Sequence, residues 1–269
     1  MPVMAVNGIN LSYQVHGCGE PVLLITGSAG RGRMWESHQV PALTAAGYQA
    51  ITVDNRGVPP SDVCAEGFTV EDMVADTAGL IERLELDPCR IVGFSLGGMI
   101  VQELLLAHPD LISQAVLMAT RGRVDRLRSA MSSAETQLFD SGVTLPRRYA
   151  AVVHAMRYLS PQTLNNDQRV QDWLDILELS PPDYSIRRAH HDLDIDGNRL
   201  EDYRKIMTEC LVIGFGDDLI VPPHLCLEVA EHIPDCGYAE VPGCGHYGCL
   251  ERPGAVNDLI IGFFGNARP

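Results

Sequence analysis

Lysine is nearly missing from this 269-residue chain: Lys205 is the single one among 20 basic residues, and the other nineteen are arginines. The basic residues are outnumbered by 35 acidic ones, for a formal net charge of −15. A surface of that sign repels phosphate backbones and anionic headgroups, so nucleic acid and membrane surfaces are excluded as general partners. Long hydrophobic runs are missing too. No stretch of 18 consecutive apolar residues occurs, which excludes an ordinary membrane-spanning helix. Met1–Val6 is not a basic segment leading into a long apolar one, so no secretion signal is expected. The eight cysteines form no C-x-x-C pair. In a long chain without a signal they are expected to be reduced core thiols, and the protein to be cytoplasmic. The G-x-x-x-x-G-K-[ST] pattern is absent as well, so the cluster Gly27, Gly30 and Gly32 does not read as a nucleotide-phosphate cradle.

Apolar residues make up 46% of the chain, enough for the core of one large α/β domain with an insertion, or of two small domains. Val3–Val6 and Asn10–Val15 alternate like paired strands about an Asn7-Gly8 hairpin turn. Short buried-strand patterns follow at Pro21–Thr26, Ala50–Asp54, Arg90–Phe94, Ile112–Ala119, Leu211–Phe215 and Tyr238–Val241. Helical spacing occupies Met34–Gly47, Thr69–Leu84, Leu96–His108, His224–His232 and Ala255–Phe264. Thr69 and Asp72 form a capping-box pattern with Asp in place of Glu. The alternation predicts an α/β fold with a mostly parallel eight-stranded sheet and helices on both faces. Residues 120–209 break it: the stretch is polar and helical, interrupted by Pro146, Pro161 and Pro181-Pro182. A helical cap over the C-terminal edge of the sheet is expected there, with the core formed by 1–119 and 210–269.

The chemistry begins at Gly93-Phe94-Ser95-Leu96-Gly97, a G-x-S-x-G pentapeptide between a strand and a helix. A serine on such a turn projects its hydroxyl from the sheet edge, and the glycines let neighbouring backbone approach. The helix start brings unpaired amides and a positive dipole end beside it. A serine hydroxyl needs a base, and the base needs an acid to orient it. Two later strand ends supply them. One carries Gly216-Asp217-Asp218 ahead of Val221-Pro222, and the other Gly243-Cys244-Gly245-His246-Tyr247.

These motifs, in the order Ser…Asp…His, resemble the α/β-hydrolase superfamily. The likeness is to its cap-bearing group of esterases, lactonases, carbon–carbon hydrolases, haloperoxidase-like enzymes and epoxide hydrolases. The resemblance covers nearly the whole chain and is weakest in the cap. It implies Ser95 as nucleophile, His246 as base and then acid, and Asp218 as the orienting acid, with Asp217 as the alternative. It implies backbone amides of Leu96 and Ser28 as the oxyanion hole. The chain has Thr26-Gly27-Ser28 where the family usually has His-Gly. A serine, rather than the carboxylate nucleophile of epoxide hydrolases and dehalogenases, implies an acyl-enzyme formed from an ester or thioester. Neither cofactor nor metal is required. The expected partner is a small-molecule acyl substrate, with an acyl carrier protein or CoA thioester as a further donor. Acyl transfer to an alcohol or amine, peroxide-dependent side chemistry and a slow-turnover receptor are the other activities this fold allows.

Other residues carry weaker signals. Asp54-Asn55-Arg56-Gly57 resembles the family's D-x-R-G segment, where Arg56 holds loops together or touches substrate. Arg121, Arg123, Arg126 and Arg128 open the cap as a solvated face or an anion-recognition patch. Trp35, Met34, Met99, Met131, Met156, Tyr158 and Trp173 are candidates to line an acyl pocket or to pack the core, and Tyr247 stands next to His246. His190-His191 with Asp192, Asp194 and Asp196 lacks a regular metal-ligand spacing.

Overall fold

The computed structural model describes residues 2–64, 67–179, 184–193 and 197–265. Pro181, Pro182, Asp194 and Asp196 lie outside the described residues. Eight strands form one sheet: β1 (Val3–Val6), β2 (Ile9–His16), β3 (Glu20–Ile25), β4 (Tyr48–Val53), β5 (Cys89–Phe94), β6 (Ile112–Met118), β7 (Glu209–Phe215) and β8 (Cys236–Val241). Their order across the sheet is β1-β2-β4-β3-β5-β6-β7-β8. β1 and β2 pair antiparallel, as do β2 and β4, and every later pairing is parallel. The β1–β2 hairpin turns through Asn7 and Gly8, both at positive φ (42° and 78°), as a two-residue primed turn requires.

Helices α1 (Gln39–Ala45), α2 (Val70–Arg83) and α3 (Leu96–Ala107) connect the early strands. Between β6 and β7 come α4 (Arg126–Asp140), α5 (Arg147–Tyr158), α6 (Pro161–Leu164), α7 (Asp167–Leu179), α8 (Tyr184–His191) and α9 (Leu200–Tyr203). The chain closes with α10 (Pro223–His232), α11 (Gly248–Glu251) and α12 (Pro253–Gly265). One core packs α2, α3 and α10 against one sheet face, through residues such as Leu80, Ile100, Leu104 and Val229. A second core packs α1 and α12 against the other, through Leu43, Val256, Ile260 and Phe264. The Thr69–Asp72 capping box forms at α2 with both reciprocal hydrogen bonds.

Two local differences from the sequence reading have physical causes. Residues 34–47 are not one helix: a 3-10 helix spans Gly32–Ser37, the backbone breaks at His38, and α1 begins at Gln39. Pro41 has no N–H for the Ser37 carbonyl and its ring excludes that carbonyl, so Pro41 is accommodated only in a first turn. The far end of the inserted segment also returns to the core earlier than residue 209. Leu200, Tyr203 and Ile206 are buried in the first core, and Arg199 forms an ion pair with Glu103 of α3 (2.7 Å).

Candidate active site

β5 delivers Ser95 to the C-terminal edge of the sheet. Its backbone stands at φ 54°, ψ −117°, and its N–H donates to the Met118 carbonyl at 2.9 Å. A non-glycine residue holds this conformation only where the surroundings fix it. The surroundings are backbone: a Cβ on Gly93 would lie 2.5 Å from the Gly97 carbonyl oxygen, and one on Gly97 would overlap the Ile25 carbonyl. Both glycines are therefore needed for the turn to close.

The two later loops meet the serine. His246 Nε2 is 3.0 Å from Ser95 Oγ, and His246 Nδ1 is 2.7 Å from Asp218 Oδ2. Asp218 is 3% exposed and His246 2%, whereas Ser95 is half-buried. The second carboxylate oxygen of Asp218 accepts from Ile220 N–H (2.7 Å) and Val221 N–H (2.9 Å). Those two bonds fix the carboxylate plane and identify Asp218, not Asp217, as the partner of the imidazole. Asp217 instead uses its backbone N–H to hold the Cys244 carbonyl (2.9 Å), tying the two loops together. The rings of Phe94 and Tyr158 flank His246, with centroids 5.1 and 5.4 Å away.

Two backbone amides on the elements around Ser95 are unpaired among the described residues. Leu96 begins α3, and its N–H, like that of Ser28, has no hydrogen-bond partner among the described residues. Leu96 is 2% exposed. A buried unpaired donor is uncommon and calls for a functional reason. The Ser28 loop runs directly against the serine, since a Cβ on Gly27 would lie 3.1 Å from Ser95 Cβ. Thr26, which stands where the family usually has His, donates its hydroxyl to the Gly30 carbonyl (3.0 Å) and closes the loop from within.

The inserted helices are anchored to the His246 loop. The Tyr158 carbonyl accepts from Tyr247 N–H (3.2 Å), and His154 Nε2 lies 2.7 Å from the Tyr247 hydroxyl. Trp173 of α7 stacks on Tyr247 with centroids 5.7 Å apart. Burial, reinforced by the Arg187 and Arg157 charges, pushes the His154 imidazole down to about 3. Burial likewise pushes the Tyr247 phenol up, so both partners are neutral. Glu251, 4% exposed, accepts from Ser160 N–H, from the Ser160 hydroxyl (2.7 Å) and from Gly245 N–H (2.7 Å). Neither His154 nor Glu251 was legible beforehand. Their contacts to Tyr247 and Ser160 span 93 and 91 residues, and no local motif marks them.

Several other candidate residues take structural or surface positions. Arg56 is buried (7% exposed), with Nε and Nη2 gripping Asp76 at 2.7 and 2.6 Å. It clamps its loop to α2, the loop-holding role that the D-x-R-G resemblance implies. Trp35 is wholly buried and packs edge-on against Phe94, in core rather than pocket. Met156 is 60% exposed. Arg123 is bound to Glu228 of α10 through Nε (2.6 Å) and a second, parallel contact, and Arg121 is buried with its carbonyl held by Gln102. Arg123 is thereby committed to an ion pair with α10. Among the described residues no group of His, Cys, Asp and Glu is arranged to hold a metal ion. No helix among them is long and apolar enough to cross a membrane.

Sheet order, elbow and the Ser95–His246–Asp218 chain together define an α/β hydrolase, and the chain belongs to that family: the alpha/beta hydrolase fold matches residues 20–253. Among its relatives is the provisionally named non-heme bromoperoxidase BpoC of Mycobacterium tuberculosis. It is 48% identical over 261 residues, covering 97% of this chain and 99% of that protein. The crystal structure of BpoC superposes with a TM-score of 0.93 at 46% identity, covering 97% of each chain. The provisionally named carbamate hydrolase RutD of Azorhizobium caulinodans is 28% identical over 270 residues, 98% of each protein.

Proposed function

We propose that this protein is a serine hydrolase that cleaves a carboxylic ester or thioester through an acyl-enzyme. The observation that carries the reading is the unbroken chain Asp218 Oδ2···Nδ1 His246 Nε2···Oγ Ser95, at 2.7 and 3.0 Å. Ser95 Oγ attacks the carbonyl carbon as its proton passes to His246 Nε2. Asp218 fixes the imidazole orientation and stabilises the imidazolium. The free amides of Leu96 and Ser28 receive the tetrahedral oxyanion. His246 then protonates the leaving alcohol or thiol, the carbonyl re-forms, and the same imidazole activates water to release the acid and restore Ser95. The helical insertion selects the acyl group. A relative named for carbamate hydrolysis fits the same class of carbonyl attack.

A second reading draws on the relative named as a bromoperoxidase. Hydrogen peroxide in place of water would attack the same acyl-enzyme, releasing a peracid and the free serine, with no change in the residues used.

Rapid-mixing kinetics with p-nitrophenyl butyrate test the proposal, with Ser95→Ala as the control. Steady release of p-nitrophenol that depends on Ser95 supports hydrolysis. A stoichiometric burst that stalls points to an acceptor other than water, and release that survives Ser95→Ala refutes the nucleophile.

A further inference from the structure

His190 of α8 is 3% exposed, and both ring nitrogens are engaged. Nδ1 accepts from the Ala29 N–H at 2.9 Å, and Nε2 lies 2.8 Å from the Arg56 carbonyl oxygen. A backbone N–H can only donate and a carbonyl can only accept, so the ring is neutral with its proton on Nε2. Desolvation by burial lowers the pKa of this imidazole, consistent with that state. The ring also meets Phe68 edge-on at 5.6 Å. It enters beside Gly57, at φ 85°, where a Cβ would stand 3.3 Å from Nε2. A residue from the inserted helices thus reaches through to two core loops. With both nitrogens occupied, His190 has none left for a metal.

Ala29 is the residue after Ser28, in a turn closed by Gly30 N–H on the Gly27 carbonyl (3.0 Å). It stands at the third position of that turn with φ 55°. A turn with positive φ at its third position favours glycine there, and alanine holds it only under external constraint. The Ala29–His190 hydrogen bond supplies such a constraint on the Ala29 amide itself. Without it, Ala29 relaxes to negative φ by rotating the Ser28–Ala29 peptide, which reverses the Ala29 N–H and disturbs the Ser28 segment beside Ser95.

We infer that His190 is a positioning residue for the oxyanion loop: the inserted helices set, through Nδ1 and Ala29, the geometry in which the Ser28 amide meets the reacting carbonyl. The inference rests on the proposed role of the Ser28 amide. It makes oxyanion stabilisation depend on a residue that touches no substrate and comes from the part of the chain that selects it.

Three substitutions separate this role from simple packing. His190→Asn keeps an acceptor near Nδ1, His190→Gln keeps a donor near Nε2, and His190→Phe keeps the ring but neither bond. Each is read by kcat and KM for p-nitrophenyl butyrate, by melting temperature, and by amide exchange at Ala29. The Phe and Gln variants should lose kcat on the order of tenfold, with KM changed by less than about threefold. Exchange at Ala29 should speed up in both, and the Asn variant should recover kcat and slow exchange together. Loss of equal size in all three variants, or unchanged kcat in the Phe variant, overturns the inference. If the wild-type protein itself does not turn over the ester, the hydrolase reading falls separately. Ala29 exchange across the three variants then decides whether His190 holds the loop.

Discussion

The Tyr247 hydroxyl and His154 Nε2 are 2.7 Å apart, joining the residue after the triad histidine to the middle of α5. Tyr247→Phe removes that bond and leaves a buried imidazole nitrogen unpaired, at a cost of about 1–2 kcal/mol. The expected result in a thermal melt is a loss on the order of 2–6 °C. Ester turnover should survive, because the hydroxyl touches neither Ser95 nor His246 in this arrangement.

The same pair sets a pH dependence. His154 is held at about 3 in the fold, mainly by burial, against an ordinary 6.5 in the unfolded chain. Between those values the unfolded state binds the extra proton, so the stability is complete above pH 6.5 and drains away as pH falls toward 3. The slope from this one group is at most about 1.4 kcal/mol per pH unit. Melting temperatures of wild type and His154→Phe, compared from pH 7 to pH 4.5, should show a shallower decline in the variant. Parallel curves would assign the decline to other groups.

The two adjacent aspartates give the sharpest contrast. Asp218→Asn replaces the acceptor that fixes the imidazole, and kcat should fall by roughly 10³–10⁴ with the fold retained. Asp217 contributes a backbone amide rather than a carboxylate to the joined loops. Asp217→Asn should leave kcat within about twofold. Steady-state assays on the two variants side by side check the assignment.

Arg56 and Asp76 form a bidentate pair with both side chains under 10% exposed. Asp76→Ala strands the guanidinium in the interior and should cost about 3–5 kcal/mol. Urea melts would read this as a lower midpoint. The double replacement Arg56→Met with Asp76→Leu should recover part of the loss, because it removes the unpaired charge as well as the pair.

Fold and triad were readable because they are written locally. Each strand is a short apolar run ended by a turn, and Ser95, Asp218 and His246 stand just beyond strand ends where side chains share an edge. Gly93 and Gly97 mark close backbone approach. What local pattern did not carry was the direction of long side chains. Arg56 could hold loops or touch substrate and Arg123 could face solvent or an anion, yet their fate depends on Asp76 and Glu228, which are brought near only by packing. Trp35 could not be assigned to pocket or core from its sequence neighbours, and contact with Phe94 decides it. His190 stood out only as half of a His-His pair. Its task depends on Ala29, 161 positions earlier, a distance no periodicity spans.

The satisfied carboxylate of Glu251 has a consequence for engineering. It draws one set of hydrogen bonds from Ser160 in the inserted helices and another from Gly245 beside the triad histidine. The insertion is therefore not a cassette. Grafting that segment from a relative without a Ser160 equivalent would leave a buried charge with only part of its bonding, next to the very loop the graft was meant to redirect. Recombination between members of this family should succeed where the donor segment and the host's Glu251 are inherited together.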